Sequence, residues 1–158
     1  MKSLIYLSHN NSMMQDELSF LVDRFKIKNK SYGITGCLLE RHGIFIQYLE
    51  GPVASVDCLI NHIKQDKRHS VQFTLEQKVK KRRFPEWSMH LLNTGTQVEE
   101  VLYSKLLKRL VKAKRSYRSR WRVFFHTFCV KKVWKAIDTL AAVTVLDDVT
   151  APKDTFRY

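Results

Sequence analysis

Gln47 is the residue whose chemistry most asks for an explanation. It lies in Gly43-Ile44-Phe45-Ile46-Gln47-Tyr48-Leu49-Glu50-Gly51-Pro52, an apolar strand pattern interrupted by one uncharged amide. A buried carboxamide that finds no partner loses about 1–3 kcal/mol of hydrogen bonding to water. Its partners are either neighbouring protein groups or a bound polar ligand. The group has a donor end and an acceptor end, so reversing it exchanges one for the other. Tyr6 carries a hydroxyl proton coupled to an oxidisable ring, and Asn29 is a second amide. Taken singly, each has a plainer reading. Tyr6 reads as a core tyrosine, Gln47 as a strand residue at a hairpin edge, and Asn29 as a helix C-terminal residue tolerant of a left-handed backbone. Trp87 and Met89 read as core packing. Gly33 and Gly36 read as strand-start glycines, because a phosphate loop needs a different spacing.

These residues must be positioned by the elements around them. Ser3 to Ser8 is a short apolar run, read as a first strand. Gln15 to Lys28 places apolar residues at 18, 21, 22 and 25, a helical spacing, with Ser12 or Asp16 as candidate caps. Gly33 to Glu40 and Ile44 to Leu49 pair as a hairpin about His42-Gly43. Pro52 heads a helix with Val53, Val56, Leu59, Ile60 and Ile63 on one face. Val71 to Val79 alternates as a strand, and Trp87 to Leu91 is the last strand. The order β-α-β-β-α-β-β predicts an α+β, ferredoxin-like βαββαββ sheet with two helices on one face. Asn93 to Thr96 reads as a boundary. Two further helical patterns follow, one through Val98, Val101, Leu102, Leu106, Leu110 and Val111, the other through Trp121, Phe124, Phe125, Phe128 and Val133 to Ala141. They are predicted to cover the other face. The expected units are residues 1–95, a helical extension at 96–146, and a loose tail at 147–158.

The chain of 158 residues is long enough for a core without staples. Cys37, Cys58 and Cys129 are widely spaced and odd in number, so they read as reduced packing residues of a cytoplasmic protein. No signal-peptide pattern opens the sequence, and no apolar run approaches the roughly 20 residues a bilayer requires, so no membrane partner is expected. The net charge of +13 is uneven. Segment 105–135 holds twelve Lys and Arg and no Asp or Glu. It reads either as a solvated helix face or as a surface for nucleic acid or an acidic protein. No DNA-binding motif accompanies it.

Four separated pieces, in order, make one pattern: Tyr6-Leu7-Ser8, Asn29 with Gly33-Ile34-Thr35-Gly36, Phe45 to Gly51, and Arg83-Phe84-Pro85-Glu86-Trp87-Ser88-Met89. Together they resemble the BLUF family, blue-light sensors that use FAD, over residues 2 to about 93. The resemblance implies a flavin between the two helices of the domain, its ring edge against Tyr6, Asn29 and Gln47. It implies light-driven transfer of an electron and proton from Tyr6 to the flavin, after which Gln47 rearranges its hydrogen bonds by rotation or tautomerisation. Ser8, Leu21, Ile63, Arg68 and His69 match cofactor-binding positions, with Leu21 and Ile63 packing the ring and Arg68 and His69 near the ribityl and phosphate portion. Trp87, Ser88 and Met89 match the relay. Lys28 and Cys37 are the departures from the family pattern, and neither touches the chemistry.

The expected function is a short photoreceptor whose C-terminal helices signal to a regulatory protein. Nucleic-acid binding through the basic helices is the alternative. No enzymatic activity is expected, since the sequence shows no acid–base pair near the proposed ring edge and no effector domain. Monomer and homo-oligomer both remain open.

Overall fold

The computed structural model describes residues 1–11, 15–86, 89–93, 97–117 and 123–150. The strands are β1 (Lys2–Asn10), β2 (Thr35–Arg41), β3 (Ile44–Gly51), β4 (His69–Lys78) and β5 (His90–Asn93). The helices are α1 (Gln15–Ser31), α2 (Val53–Gln65), α3 (Gln97–Tyr117) and α4 (Val123–Thr150). The sheet order is β4-β1-β3-β2-β5, as the ferredoxin-like plan with one added edge strand requires. β1, β3, β2 and β4 pair antiparallel, and β5 runs parallel to β2.

Period-2 alternation separates the chain into two cores. Leu4, Tyr6, Leu38, Phe45 and Leu49 face α1 and α2, where Leu18, Val22, Val56 and Ile60 meet them. Ile5, Leu7, Cys37, Leu39, Ile46 and Tyr48 face the other way, under Leu106, Leu110, Val133, Trp134 and Ile137 of α3 and α4. The C-terminal helices therefore cover the second face, as the sequence predicts. No helix among the described residues is long and apolar enough to cross a membrane.

Local chemistry fixes the turns. His42 and Gly43 have φ of 50° and 73°, the pair of positive values that a tight hairpin turn matches to strand twist. At Gly36 a Cβ would stand 2.0 Å from the Tyr48 carbonyl oxygen, so only glycine lets β2 lie this close to β3.

Several expectations shift. Asn29 lies inside the last turn of α1 rather than past it, and Gly33, with φ 62°, takes the left-handed position after the helix. Of the expected last strand, Trp87 to Leu91, the described strand residues run from His90, where pairing on β2 starts at Cys37↔His90. Trp87 and Ser88, and the candidate cap Ser12, lie outside the described residues. The alternation expected of Trp87, Ser88 and Met89 along one strand falls outside the described residues except at Met89, which precedes β5. α4 continues to Thr150, four residues into the expected tail, and 151–158 are outside the described residues. Cys58 is exposed rather than packed, because Val56 and Ile60 take the buried side of α2. Val53, Val101 and Phe128 are exposed despite fitting apolar patterns, and the Lys132 ammonium lies 4.2 Å from the centre of the Phe128 ring.

Candidate functional site

Strand register assembles the site. Tyr6 pairs with Gln47 across β1 and β3, and Gln47 pairs with Leu38 across β3 and β2. The three lie side by side on the face toward α1 and α2. A cavity of about 790 Å³, open mouth included, lies above this row. Leu18, Phe25, Lys28 and Asn29 of α1 form one wall, and Leu59, His62 and Ile63 of α2 the other. Phe45 and Met89 complete the floor, and Asp66, Arg68 and His69 close one end.

The Tyr6 hydroxyl donates to Oε1 of Gln47. Nε2 of Gln47 donates to the Met89 sulfur at 3.2 Å. A thioether accepts but never donates, so the amide's NH₂ end must face Met89 and its carbonyl must face Tyr6. Gln47 and Met89 are both buried. Burial, reinforced by the nearby Asp66 charge, pushes the Tyr6 hydroxyl well above its ordinary pKa.

The sequence-predicted residues divide into two groups. Tyr6, Asn29, Gln47, Ile63, Arg68, His69 and Met89 all line the cavity. Leu21 and Ser8 are buried but do not line it. Ser8 shares the strand face of Tyr6, and its hydroxyl has no hydrogen-bond partner among the described residues. Leu18, Phe25, Leu59, Phe45 and Leu38 are lining residues absent from the expected site, and Lys28, read as a departure that does not touch the chemistry, lines the cavity as well. Leu18 and Phe25 are visible in the sequence only as members of a helical stripe, and Phe45 only as the first residue of the Phe45 to Gly51 piece, with no site role of its own.

The mouth is polar. Arg68 holds Asp66 through three bonds of 3.0, 3.1 and 2.6 Å. The Arg68 guanidinium keeps the Asp66 carboxyl below its ordinary pKa against the opposing effect of burial. The His69 ring stacks on Tyr6 at 6.2 Å between centroids, and its buried Nδ1 has no partner among the described residues. Burial lowers the His69 pKa. Asp66 opposes this and Arg68 adds to it. His69 therefore folds neutral near pH 7. Its unfolded state takes up protons first, so its contribution to stability is complete above pH 6.5 and is lost as pH falls through the lower folded value. Urea titrations from pH 7 to pH 5 should show a stability loss in the native chain that is smaller in His69→Gln.

The arrangement fits a flat aromatic ligand. Apolar side chains from two helices suit its faces. Tyr6, Gln47 and Asn29 suit a polar ring edge. Lys28, Arg68 and the unpartnered His69 nitrogen suit an anionic or hydroxylated remainder.

The family model described as "Sensors of blue-light using FAD" matches residues 1–90. Subunit beta of a photoactivated adenylate cyclase from Euglena gracilis is 33% identical over 114 residues, 67% of this chain and 13% of the relative. The chain thus spans a small fraction of that protein. A bacterial light-regulated adenylyl cyclase superposes with a TM-score of 0.59 at 30% identity, covering 73% of this chain and 34% of the other. The dark state of BlrB, a BLUF protein, has a TM-score of 0.59 at 24% identity, covering 87% of this chain and 95% of the other, a likeness of fold. Matched over residues 1–90 by its family model, the chain belongs to the BLUF family of blue-light sensors, whose cofactor is FAD.

Proposed function

We propose that this chain is a blue-light receptor that binds FAD in the cleft and signals by changing the partners of the Gln47 amide, with no catalysis of its own. The observation that carries this reading is the amide clamped between a hydroxyl donor and a sulfur acceptor. Bound FAD supplies blue-light absorption and an excited ring able to accept an electron. Tyr6 would release an electron together with its hydroxyl proton and take both back. When that hydroxyl bond is interrupted, Gln47 can turn or tautomerise. A turned amide presents its carbonyl to Met89, which cannot donate, and its NH₂ to Tyr6, whose oxygen must then accept. The change therefore alters several bonds together. Asn29 and Tyr6 would hold the cofactor's polar edge, Ile63, Leu18 and Phe25 its ring, and Arg68, His69 and Lys28 its remainder. Leu21 and Ser8 would act from behind the wall.

Output passes in this reading through Trp87, Ser88 and Met89 to the last strand and the C-terminal helices, and from there to a regulatory protein in the cytoplasm. The three free cysteines agree with that compartment. Light-regulated cyclases among the matched proteins make a partner enzyme one class of receiver. In the test, the purified chain, supplied with FAD, is illuminated and returned to darkness. A small, reversible red shift of the flavin bands is expected, and Tyr6→Phe should abolish it. A chain that binds no FAD would refute the reading.

A second reading, nucleic-acid binding, rests on the outer faces of α3 and α4. Lys105, Lys108, Lys112 and Arg115 are exposed on α3, and Lys131, Lys132 and Lys135 on α4. If they bind a duplex, log affinity should fall linearly with log salt by about 0.9 per phosphate neutralised. No binding at low salt would dismiss it.

A further inference from the structure

A second polar cluster lies on the opposite face of β3 from the cavity. Glu50, three residues after Gln47, is completely buried. Its Oε1 accepts the backbone N–H groups of Arg83 at 2.8 Å and Phe84 at 2.7 Å, and its Oε2 accepts the Tyr48 hydroxyl at 2.8 Å. Arg82 reinforces this clasp, donating to the Gly33 carbonyl at 2.6 Å and the Glu50 carbonyl at 3.0 Å. The Arg83 side chain then reaches α4. Its Nε donates to Asp138 at 2.5 Å, one terminal nitrogen donates to the Tyr48 hydroxyl at 3.1 Å, and the guanidinium lies over the rings of Tyr48 and Trp134 at 5.9 and 5.8 Å.

The loop between β4 and β5 is thus tied to β3 at Glu50, to the amide of Gln47 through Met89 near its other end, and to α4 through Arg83. We infer that Arg83 is a positioning residue that couples the Gln47 amide to α4, with the Glu50 clasp as the pivot. The inference rests on the proposed sensor reading and names a route that bypasses the last strand. Its physical basis is a differential contact. The Met89 sulfur is bonded in one amide orientation and cannot be bonded in the other, so the loop's position is biased by the amide's state. A displacement of the loop about Glu50 moves the guanidinium. It also biases Asp138 and Trp134, because the cation lies against the Trp134 ring, which meets Tyr48 edge-on, as well as being paired with Asp138. An isolated exposed ion pair would carry little. Here the pair ends a chain of buried bonds.

The test uses the full chain with FAD. Hydrogen exchange of the peptide backbone at residues 133–141 is compared in darkness and under blue light, with the flavin spectrum recorded on the same samples. Variants are Arg83→Gln and Asp138→Asn, the latter at an exposed carboxylate whose removal should leave the fold intact. In the native chain, light should change exchange at α4. In both variants that change should shrink by about fivefold or more while the red shift keeps its size, and the double variant should lose no more than either single one. A native α4 response that persists at full size in both variants overturns the coupling. So does a native chain with a red shift but no α4 response, or variants in which the red shift itself is lost. A native chain without a red shift overturns the sensor reading instead.

Discussion

Replacing Gln47 with leucine should leave a yellow protein that no longer responds to blue light. Leucine has a similar volume and would sit among Tyr6, Leu38 and Met89 without a void. The apolar walls from α1 and α2 that suit the ring are untouched, so FAD uptake should survive. The Tyr6 hydroxyl would lose its acceptor inside the sheet, which costs about 1–3 kcal/mol. For a chain of this size that lowers the melting temperature by roughly 2–4 °C per kcal/mol. The light-minus-dark absorbance difference is the readout, and it should vanish. A leucine variant that keeps the full red shift would show that the amide is a spectator.

Glu50→Leu should destabilise the fold more than Gln47→Leu does. The fully buried carboxylate receives two backbone N–H groups, the Tyr48 hydroxyl and, at a longer 3.4 Å, the Thr35 hydroxyl. Each abandoned buried donor costs about 1–3 kcal/mol, so a loss on the order of 4 kcal/mol is expected. The melting temperature should then fall by roughly 10 °C. Glu50→Gln keeps one oxygen for the Arg83 and Phe84 N–H groups and can donate to Tyr48, so it should recover at least half of that loss. Thermal melts of both variants, followed by circular dichroism, decide it. Equal destabilisation by glutamine and leucine would mean that shape, rather than the accepted bonds, matters at this position.

Strand content and site chemistry are legible in the sequence for one shared reason. Apolar runs bounded by turn residues make Ser3 to Ser8 and Ile44 to Leu49 readable as strands, and the turn at His42-Gly43 makes the β2–β3 hairpin readable. The structure puts Tyr6 and Leu38 on one face and Ile5, Tyr48 and Leu39 on the other, a division that the uniformly apolar runs do not display. What stays hidden depends on relations between elements. The stripe at Leu18, Leu21, Val22 and Phe25 identifies the buried face of α1, but which of these meets the cavity depends on how the helix rolls against the sheet. Leu18 and Phe25 line it, and Leu21 does not. Glu50 ends a strand pattern and reads as its boundary, because its partners Arg83 and Phe84 lie more than thirty residues away. Met89 lies in the expected last strand but precedes β5, because hydrogen bonding to β2, at Cys37↔His90, decides where the described strand begins. The pattern of α4 weakens after Ala141 while the helix continues, so its end is set too early as well.

The central claim is that the Gln47 side-chain amide exchanges partners under blue light. Infrared difference spectroscopy on the FAD-loaded chain with isotopically labelled glutamine tests this most directly. The light-minus-dark spectrum should contain a side-chain amide carbonyl band that moves with the label and is missing in Gln47→Leu. A difference spectrum with a full flavin red shift, but no band sensitive to the glutamine label, would contradict the account.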